Sequence, residues 1–257
     1  MSAPAQADTT RKRRSWRSLL VPALLGFAVL LALGIWQVER RAWKDGLITE
    51  LSARLAAAPI QLPPSTQWRT LDPADDEFRR VAFTGTFEPG KEALVYGIAS
   101  AFRPDVPASV PGYWVFAPAR LADGTVVMVN RGFAPETRKD EVARLEGRLA
   151  GPIEIVGAMR WPDPRRWFSP ADDPVHRLWF TRDPQAMAAA AGIGAIAPFY
   201  VEQESPVPPG GWPQPGRIVV RLANNHLQYA VTWFGLALVL AVVFAVWAFS
   251  GRHEAPR

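Results

Sequence analysis

Two long apolar segments, one near each end of the chain, constrain this sequence more than any other feature. No charged residue occurs between His226 and Arg252, and the apolar run 227–249 is about 23 residues long. At a rise of about 1.5 Å per residue, a helix of this length crosses a hydrocarbon core of about 30 Å. The earlier segment 18–38 also carries no charge and is long enough. The sequence therefore predicts transmembrane helices at 18–38 and, with a polar entry, at 224–249.

A secretory signal peptide is the alternative for the first segment. A basic run at 11–17 precedes its apolar core, and Ala32-Leu33-Gly34 is similar to a cleavage site. The apolar run is too long for such a peptide, and it ends in Trp36 and Gln37 rather than in small residues. We therefore expect a retained anchor.

The distribution of charge predicts the topology. The formal net charge is +5, and the excess lies in the tails 1–17 and 250–257, which favours membrane orientation rather than nucleic-acid binding. The positive-inside rule places both tails in the cytoplasm and the region 39–223 outside it. Because the residues before the basic run are few and poor in arginine, unlike a mitochondrial transit peptide, we expect a bacterial inner membrane and a periplasmic domain.

The region between the spans predicts a β-rich α+β domain. Alternating apolar residues predict strands at 80–88, 94–99, 113–117, 125–130, 153–160 and 199–203. The pair Asp123-Gly124 predicts a hairpin turn, and Asp183 with Pro184 predicts the start of a short helix that Gly192 ends. The fold class expected is therefore α+β, with two transmembrane helices flanking this domain.

Other stretches of the region give weaker predictions. Helical spacing persists from Trp36 to Leu55, so the first helix should continue past the membrane edge. Val142, Leu145 and Leu149 also recur at helical spacing. The proline-rich stretches 58–76 and 206–216 are typical of linkers or surface loops.

Composition and motifs exclude several kinds of site. The sequence has no cysteine, which excludes a CxxC redox site and thiolate metal sites. It contains no phosphate loop or dinucleotide fingerprint. Ser169 and His176, near Asp172 and Asp173, have the residue types of a hydrolase site without its spacing, and a surface loop is the favoured interpretation. An anchored hydrolase stays as an alternative, and no catalytic residue is predicted.

Three motifs resemble one known family. They are Leu33 to Arg40 with Lys44, Val129 to Phe133, and Asn224 to Phe234, and they are similar to signatures of the surfeit-locus family of cytochrome c oxidase assembly factors. Further similar residues are Trp179, Phe180, Asp183, Tyr200 and Glu202. Asp172-Asp173 stands where that family would have an asparagine.

The resemblance implies a non-enzymatic membrane protein that assists the assembly of haem-copper cytochrome c oxidase. It implies binding of haem a and its delivery to oxidase subunit I, with the haem a synthase as a second candidate partner. Membrane lipid is expected as a partner and nucleic acid is not. The family histidine proposed as iron ligand corresponds to His226.

The chemistry of a haem site suggests roles for nearby residues. A neutral imidazole is a common axial ligand, arginine fits a propionate, and aromatic side chains can cover the macrocycle. Ala230 would leave room close to the helix backbone. Gln37, Asn225 or Gln228 could hold the second imidazole nitrogen. The candidate cofactor-binding residues are His226, Trp36, Gln37, Arg40, Tyr229 and Trp233, with Arg41 and Lys44 as further cations and His226 as the metal ligand.

Each candidate also has a simpler interpretation. The polar cluster at 224–226 is typical of a helix N-cap, and tryptophans at this depth are typical of an interfacial aromatic belt. Arg40 could bind lipid headgroups. A structural adaptor that binds no haem is therefore the alternative function. The motif Asn130-Arg131-Gly132 is predicted to be structural, with the arginine paired to an acid and the glycine in an unusual backbone conformation.

Overall fold

The computed structural model describes residues 16–98, 110–216, 218 and 224–250, with side chains from residue 19 onward. The basic residues 11–15 and the tail 251–257 lie outside this description. The chain forms two compact units, residues 1–49 with 222–257, and residues 50–221. The α-helices are α1 (Trp16–Ala56), α2 (Pro73–Asp76), α3 (Pro184–Ala190) and α4 (His226–Ser250). The strands are β1 (Ile60–Gln61), β2 (Arg80–Phe87), β3 (Ala93–Ile98), β4 (Pro111–Arg120), β5 (Val126–Pro135), β6 (Ile153–Arg160), β7 (Leu178–Trp179) and β8 (Tyr200–Ser205). The predicted α+β class, with apolar helices flanking a β-rich domain, is confirmed.

Helices α1 and α4 are long and apolar enough to cross a membrane. Most of their apolar side chains are exposed, in contrast to the core helix of a water-soluble domain. Helix α1 continues to Ala56, as the spacing after Trp36 predicts.

Small residues bring α1 and α4 together as an antiparallel pair. A Cβ atom built on Gly34 would lie 2.5–2.8 Å from ring atoms of Phe234, and one on Gly26 would lie 3.4 Å from Leu240. Ala230 and Ala237, on the same face of α4 as Phe234, are both only 2% exposed. Small residues allow two membrane helices to approach closely, so these positions define the packing face.

Five strands close into a barrel. The order β2-β6-β8-β5-β4 is completed by pairing of β2 with β4 through Thr86↔Arg120 and Phe87↔Ala119. Closure removes the unpaired edges of these strands. Every second side chain points inward, and the barrel core contains Val81, Phe83, Ala117, Val127, Val129, Ile155, Met159 and Val201.

A second core lies on the other face of β3, β4 and β5, where β7 and α3 cover it. It contains Val95, Phe116, Met128, Trp179, Met187 and Tyr200. Helix α3 begins as predicted, because the Asp183 carboxylate accepts a hydrogen bond from the Ala186 amide at 3.0 Å. Gly192 follows the helix with a φ of +66°. The predicted turn also forms, with antiparallel β4 and β5 joined through Gly124 at φ +86°.

Two predictions for the domain are wrong. The stretch 137–149 forms short 3₁₀ helices at Glu136–Arg138 and Glu141–Gly147 instead of an amphipathic helix. Val142 and Leu145 point to solvent, whereas Arg144 is buried against Glu92 at 2.9 Å. An ion pair with a distant residue therefore overrides the local apolar spacing.

The proline-rich stretches are also not simple linkers. Trp68 is buried in the barrel core, and the Trp68 indole donates a hydrogen bond to the Pro63 carbonyl at 2.8 Å. Gln214 pairs with Phe133 through backbone hydrogen bonds of 3.0 and 2.8 Å. Both stretches thus pack on the domain through residues that the proline content alone does not single out.

Candidate functional site

His226 and Gln37 form the centre of the candidate site in the helical unit. The imidazole Nδ1 of His226 lies 2.7 Å from the amide Oε1 of Gln37. A glutamine Oε1 can only accept, so the Nδ1–H of His226 donates in this contact, and in a neutral imidazole with this tautomer Nε2 is the nitrogen with a lone pair. Gln37 is 9% exposed and His226 is half-buried. The structure therefore selects Gln37 over Asn225 and Gln228 as the residue that orients the imidazole.

A second polar contact joins the helices near the start of α4. The side-chain amide of Asn224 donates to the Asp45 carboxylate at 2.7 Å. Asp45 also pairs with Arg41 at 3.5 Å, one turn earlier on α1. No pattern in the sequence singles out Asp45, because an acid on a helix surface gives no local sign of a partner 179 residues away.

The other candidate residues lie on one flank of the helix pair. At about 100° per residue, Trp36 and Arg40 lie to one side of Gln37, and Tyr229 and Trp233 lie to one side of His226. Because α1 and α4 run antiparallel, these two sides form the same flank. Arg40 lies about 4.5 Å beyond Gln37 toward the C-terminus of α1, and Trp233 lies about 10 Å beyond His226 toward the C-terminus of α4. The candidate residues thus lie on one flank, spread along the helix pair.

The side chains of this flank are available for contact. Trp36 is 53% exposed, Tyr229 is 55% exposed and Trp233 is half-buried. The Arg40 guanidinium carbon lies 3.9 Å from the centroid of the Trp43 ring, which holds the cation on an aromatic face. Two exposed aromatic side chains and a cation therefore lie on this flank of the helix pair.

Ala230 does not leave the space expected from its small size. It is 2% exposed, on the face of α4 that packs toward α1. Ala230 is therefore covered by the helix packing and does not border open space beside His226.

The motif Asn130-Arg131-Gly132 is structural, as predicted. Arg131 forms an ion pair with Glu92 at 2.9 Å, and Gly132 has a φ of +118°. Asn130 accepts a hydrogen bond from the Gly132 amide at 3.1 Å. Burial lowers the pKa of Arg131, and the charge of Glu92 opposes that effect.

The remaining family-like residues stabilise the β-rich domain. Trp179 and Tyr200 are buried in the second core. The Glu202 carboxylate lies between two arginines, 3.5 Å from the half-buried Arg160 and 3.4 Å from the buried Arg182. Burial raises the pKa of the Tyr200 hydroxyl. Packing and charge pairing within the domain are therefore the roles that these family-like residues have in the structure.

The loop considered for a hydrolase site has other contacts. The imidazole of His176 lies 2.6 Å from the Asp173 carboxylate, and the Ser169 hydroxyl accepts from the Arg166 amide at 3.3 Å. In the described part of the chain, Ser169 and His176 form no hydrogen bond with each other. The arrangement does not support a nucleophile activated by a base.

The fold and this site define a class of protein, a β-barrel domain anchored in a membrane by a terminal pair of apolar helices that share a histidine and glutamine contact. Comparison with known families extends this description. The family model described as "SURF1 family" matches residues 24–238. The chain belongs to the SURF1 family.

Several relatives are similar over most of their length. The human Surfeit locus protein 1 is 33% identical over 251 residues, covering 92% of this chain and 79% of the relative. The protein of that name from Rattus norvegicus is 34% identical, covering 86% of this chain and 71% of the relative. A SURF1-like protein from Monosiga brevicollis is 34% identical, covering 94% and 89%. Membership of this assembly-factor family supports a role in cytochrome c oxidase assembly.

Proposed function

We propose that this protein binds haem a at the outer end of its helix pair and assists the delivery of haem a to subunit I of a haem-copper cytochrome c oxidase. Haem a is cargo in this proposal, and its iron would take an imidazole as axial ligand. The haem a synthase is the proposed donor. The chain performs no chemistry on the haem in this role.

The hydrogen bond between His226 and Gln37 is the observation that carries the proposal. A histidine that ligates a metal through one nitrogen commonly donates from the other, which sets the tautomer and the ring orientation. The 2.7 Å contact from Nδ1 to the Gln37 Oε1 meets that requirement. It also anchors the imidazole to both helices, so release of haem can respond to a change in helix packing.

The surrounding flank supplies the other groups that such a ligand needs. Arg40 and Arg41 lie at the outward end, where propionates would meet water, and a guanidinium fits a carboxylate. Trp36, Tyr229 and Trp233 provide aromatic surface at and below the histidine. The buried position of Ala230 supports binding of the macrocycle on this exposed flank, where a partner subunit would have access to it.

The proposed location is the bacterial inner membrane, with both termini cytoplasmic and the main domain periplasmic. The basic run before α1 supports this orientation through the positive-inside rule. Two spans with the N-terminus inside return the C-terminus to the same side.

Purification of the full chain from cells that make haem a tests the proposal. We expect a Soret band in the wild type and its loss in His226→Ala, with insertion and thermal unfolding of the outer domain unchanged. Gln37→Leu should weaken haem affinity by about 10–100-fold, because the imidazole loses its orienting partner. Gln228→Leu is the matched control, since Gln228 is exposed on the same helix turn as His226, and it should retain the wild-type spectrum.

A colourless wild type that is fully folded and inserted would overturn haem binding and favour the structural adaptor. If Gln37→Leu and Gln228→Leu bind haem with equal affinity, the proposed role of Gln37 is refuted, whereas the proposal that His226 is the ligand still stands.

A further inference from the structure

The outer domain displays large apolar side chains on one loop, residues 161–177. Trp167 is 95% exposed, Phe168 is 60% exposed and Val175 is 86% exposed. A single exposed apolar residue is ordinary on a protein surface. Two adjacent exposed aromatic residues at the tip of one loop indicate a contact surface instead.

Hydrogen bonds at the base of the loop hold this pair in place. The Asp172 carboxylate accepts from Arg165 at 2.5 Å and from the Phe180 amide at 2.8 Å. A turn closes the tip, where the Ser169 amide donates to the Arg166 carbonyl at 3.0 Å. The Trp167 and Phe168 rings meet edge to face at 5.5 Å. The aromatic pair is therefore presented by an ordered frame and needs little reorganisation to bind.

Two carboxylates at the base of the loop have a basic partner within the loop. Asp172 is paired with Arg165, and Asp173 with His176 at 2.6 Å. The Arg166 guanidinium lies 5.9 Å from the Phe168 ring, and it forms no ion pair with a carboxylate among residues 16–98 and 110–216. The tip thus combines two aromatic rings with one uncompensated cation.

We propose that the tip Arg166 to Phe168, the aromatic tip, docks into the headgroup region of an anionic bilayer. Tryptophan prefers this region because its ring is apolar and its N–H is polar, and arginine is attracted to lipid phosphates. The outer domain is joined at both ends to apolar helices, so docking is an intramolecular event with a high effective concentration. Because of this high effective concentration, the proposal requires only one aromatic pair and one cation to hold the tip at the bilayer. This proposal does not depend on haem binding.

Site-directed fluorescence tests the proposal on the full chain in lipid nanodiscs. The sequence contains no cysteine, so Ala171→Cys introduces a single labelling site beside the aromatic tip. Val142→Cys, at a position that is 76% exposed in the 3₁₀ helix Glu141–Gly147, is the matched control. In nanodiscs containing phosphatidylglycerol, a fluorophore at 171 should be quenched by acyl-chain nitroxide lipid at least threefold more than one at 142. Aqueous acrylamide should quench it at least threefold less.

Substitution of the aromatic tip should abolish the difference in quenching between the labels at 171 and 142. Trp167→Ser with Phe168→Ser, in the Ala171→Cys chain, should make label 171 as accessible as label 142 without changing the thermal unfolding of the domain. Arg166→Gln should weaken lipid quenching, and so should nanodiscs of neutral lipid. Equal accessibility of labels 171 and 142 in the parent chain would overturn the proposal. Protection of label 171 only after oxidase protein is added would overturn it in favour of a protein partner.

Discussion

Substitution of Gly34 tests whether close helix packing holds the candidate site together. A Cβ atom at Gly34 would lie 2.5–2.8 Å from the Phe234 ring, whereas ordinary contacts begin near 3.4 Å. Gly34→Ala therefore requires the helices to separate by about 1 Å unless the ring leaves its position. The 2.7 Å contact between His226 and Gln37 would then exceed the distance of a useful hydrogen bond. We expect the helix pair to lose about 1–3 kcal/mol.

The assay measures the separation of α1 and α4 directly. Val21→Cys and Val246→Cys place two labels on exposed positions at the same level of the helix pair, in a chain without native cysteine. Energy transfer between the labels, followed during titration with sodium dodecyl sulfate, gives the free energy of helix separation. Gly235→Ala is the matched control, since a Cβ there meets no atom within 4 Å. It should be neutral or stabilise by up to about 1 kcal/mol through helix propensity.

The clearest expectation is that the effect of Gly34→Ala on the stability of the helix pair changes sign when Phe234 is also replaced. With Phe234→Ala the clash is absent, so adding Gly34→Ala should be neutral or slightly stabilising. The reasoning is refuted if Gly34→Ala behaves like Gly235→Ala in the wild-type background. It is equally refuted if the cost of Gly34→Ala persists after Phe234 has been removed.

Two further predictions concern the β-rich domain, and both are measured as unfolding of the full chain followed by tryptophan fluorescence. The hydrogen bond from Lys91 lowers the pKa of Glu88, so the carboxylate stabilises the fold above its unfolded pKa near 4.5, and this contribution disappears as pH falls through the folded pKa. Glu88→Gln should therefore cost about 0.5–1 kcal/mol at pH 7, and the cost should vanish once the pH falls below the lowered pKa of Glu88; a cost independent of pH would contradict this. Gly132→Ala should cost about 2 kcal/mol or more, because φ there is +118° and the backbone of a second segment is in contact. Gly124→Ala, at φ +86° with no atom near its Cβ, should cost less, and equal costs would show that the close contact contributes nothing.

Local signals in the sequence predicted the elements that depend on neighbouring residues. The two apolar helices follow from uninterrupted hydrophobic length, and the β4–β5 hairpin follows from Asp123-Gly124. The start of α3 follows from Asp183 at the N-cap. In each case the determining residues lie within a few positions of one another, so no knowledge of the fold was needed.

The choice of partners was decided only by the tertiary structure. The sequence offered three candidates for the residue that orients His226, and in the structure the packing of α1 against α4 brings Gln37 into contact with it. It predicted an acid for Arg131 without naming Glu92, and it overlooked Asp45.

Packing between distant segments also decided the environments of Ala230 and Arg144. A small residue on an apolar helix can border a ligand or a neighbouring helix, and the close approach at Gly34 assigned Ala230 to the helix. An arginine between apolar residues at helical spacing should face water, yet Arg144 is buried because the barrel brings Glu92 beside it. The sequence by itself determined which segments become helices, strands and turns. Which side chains meet depended on the register between distant segments, and that register exists only once the chain has packed.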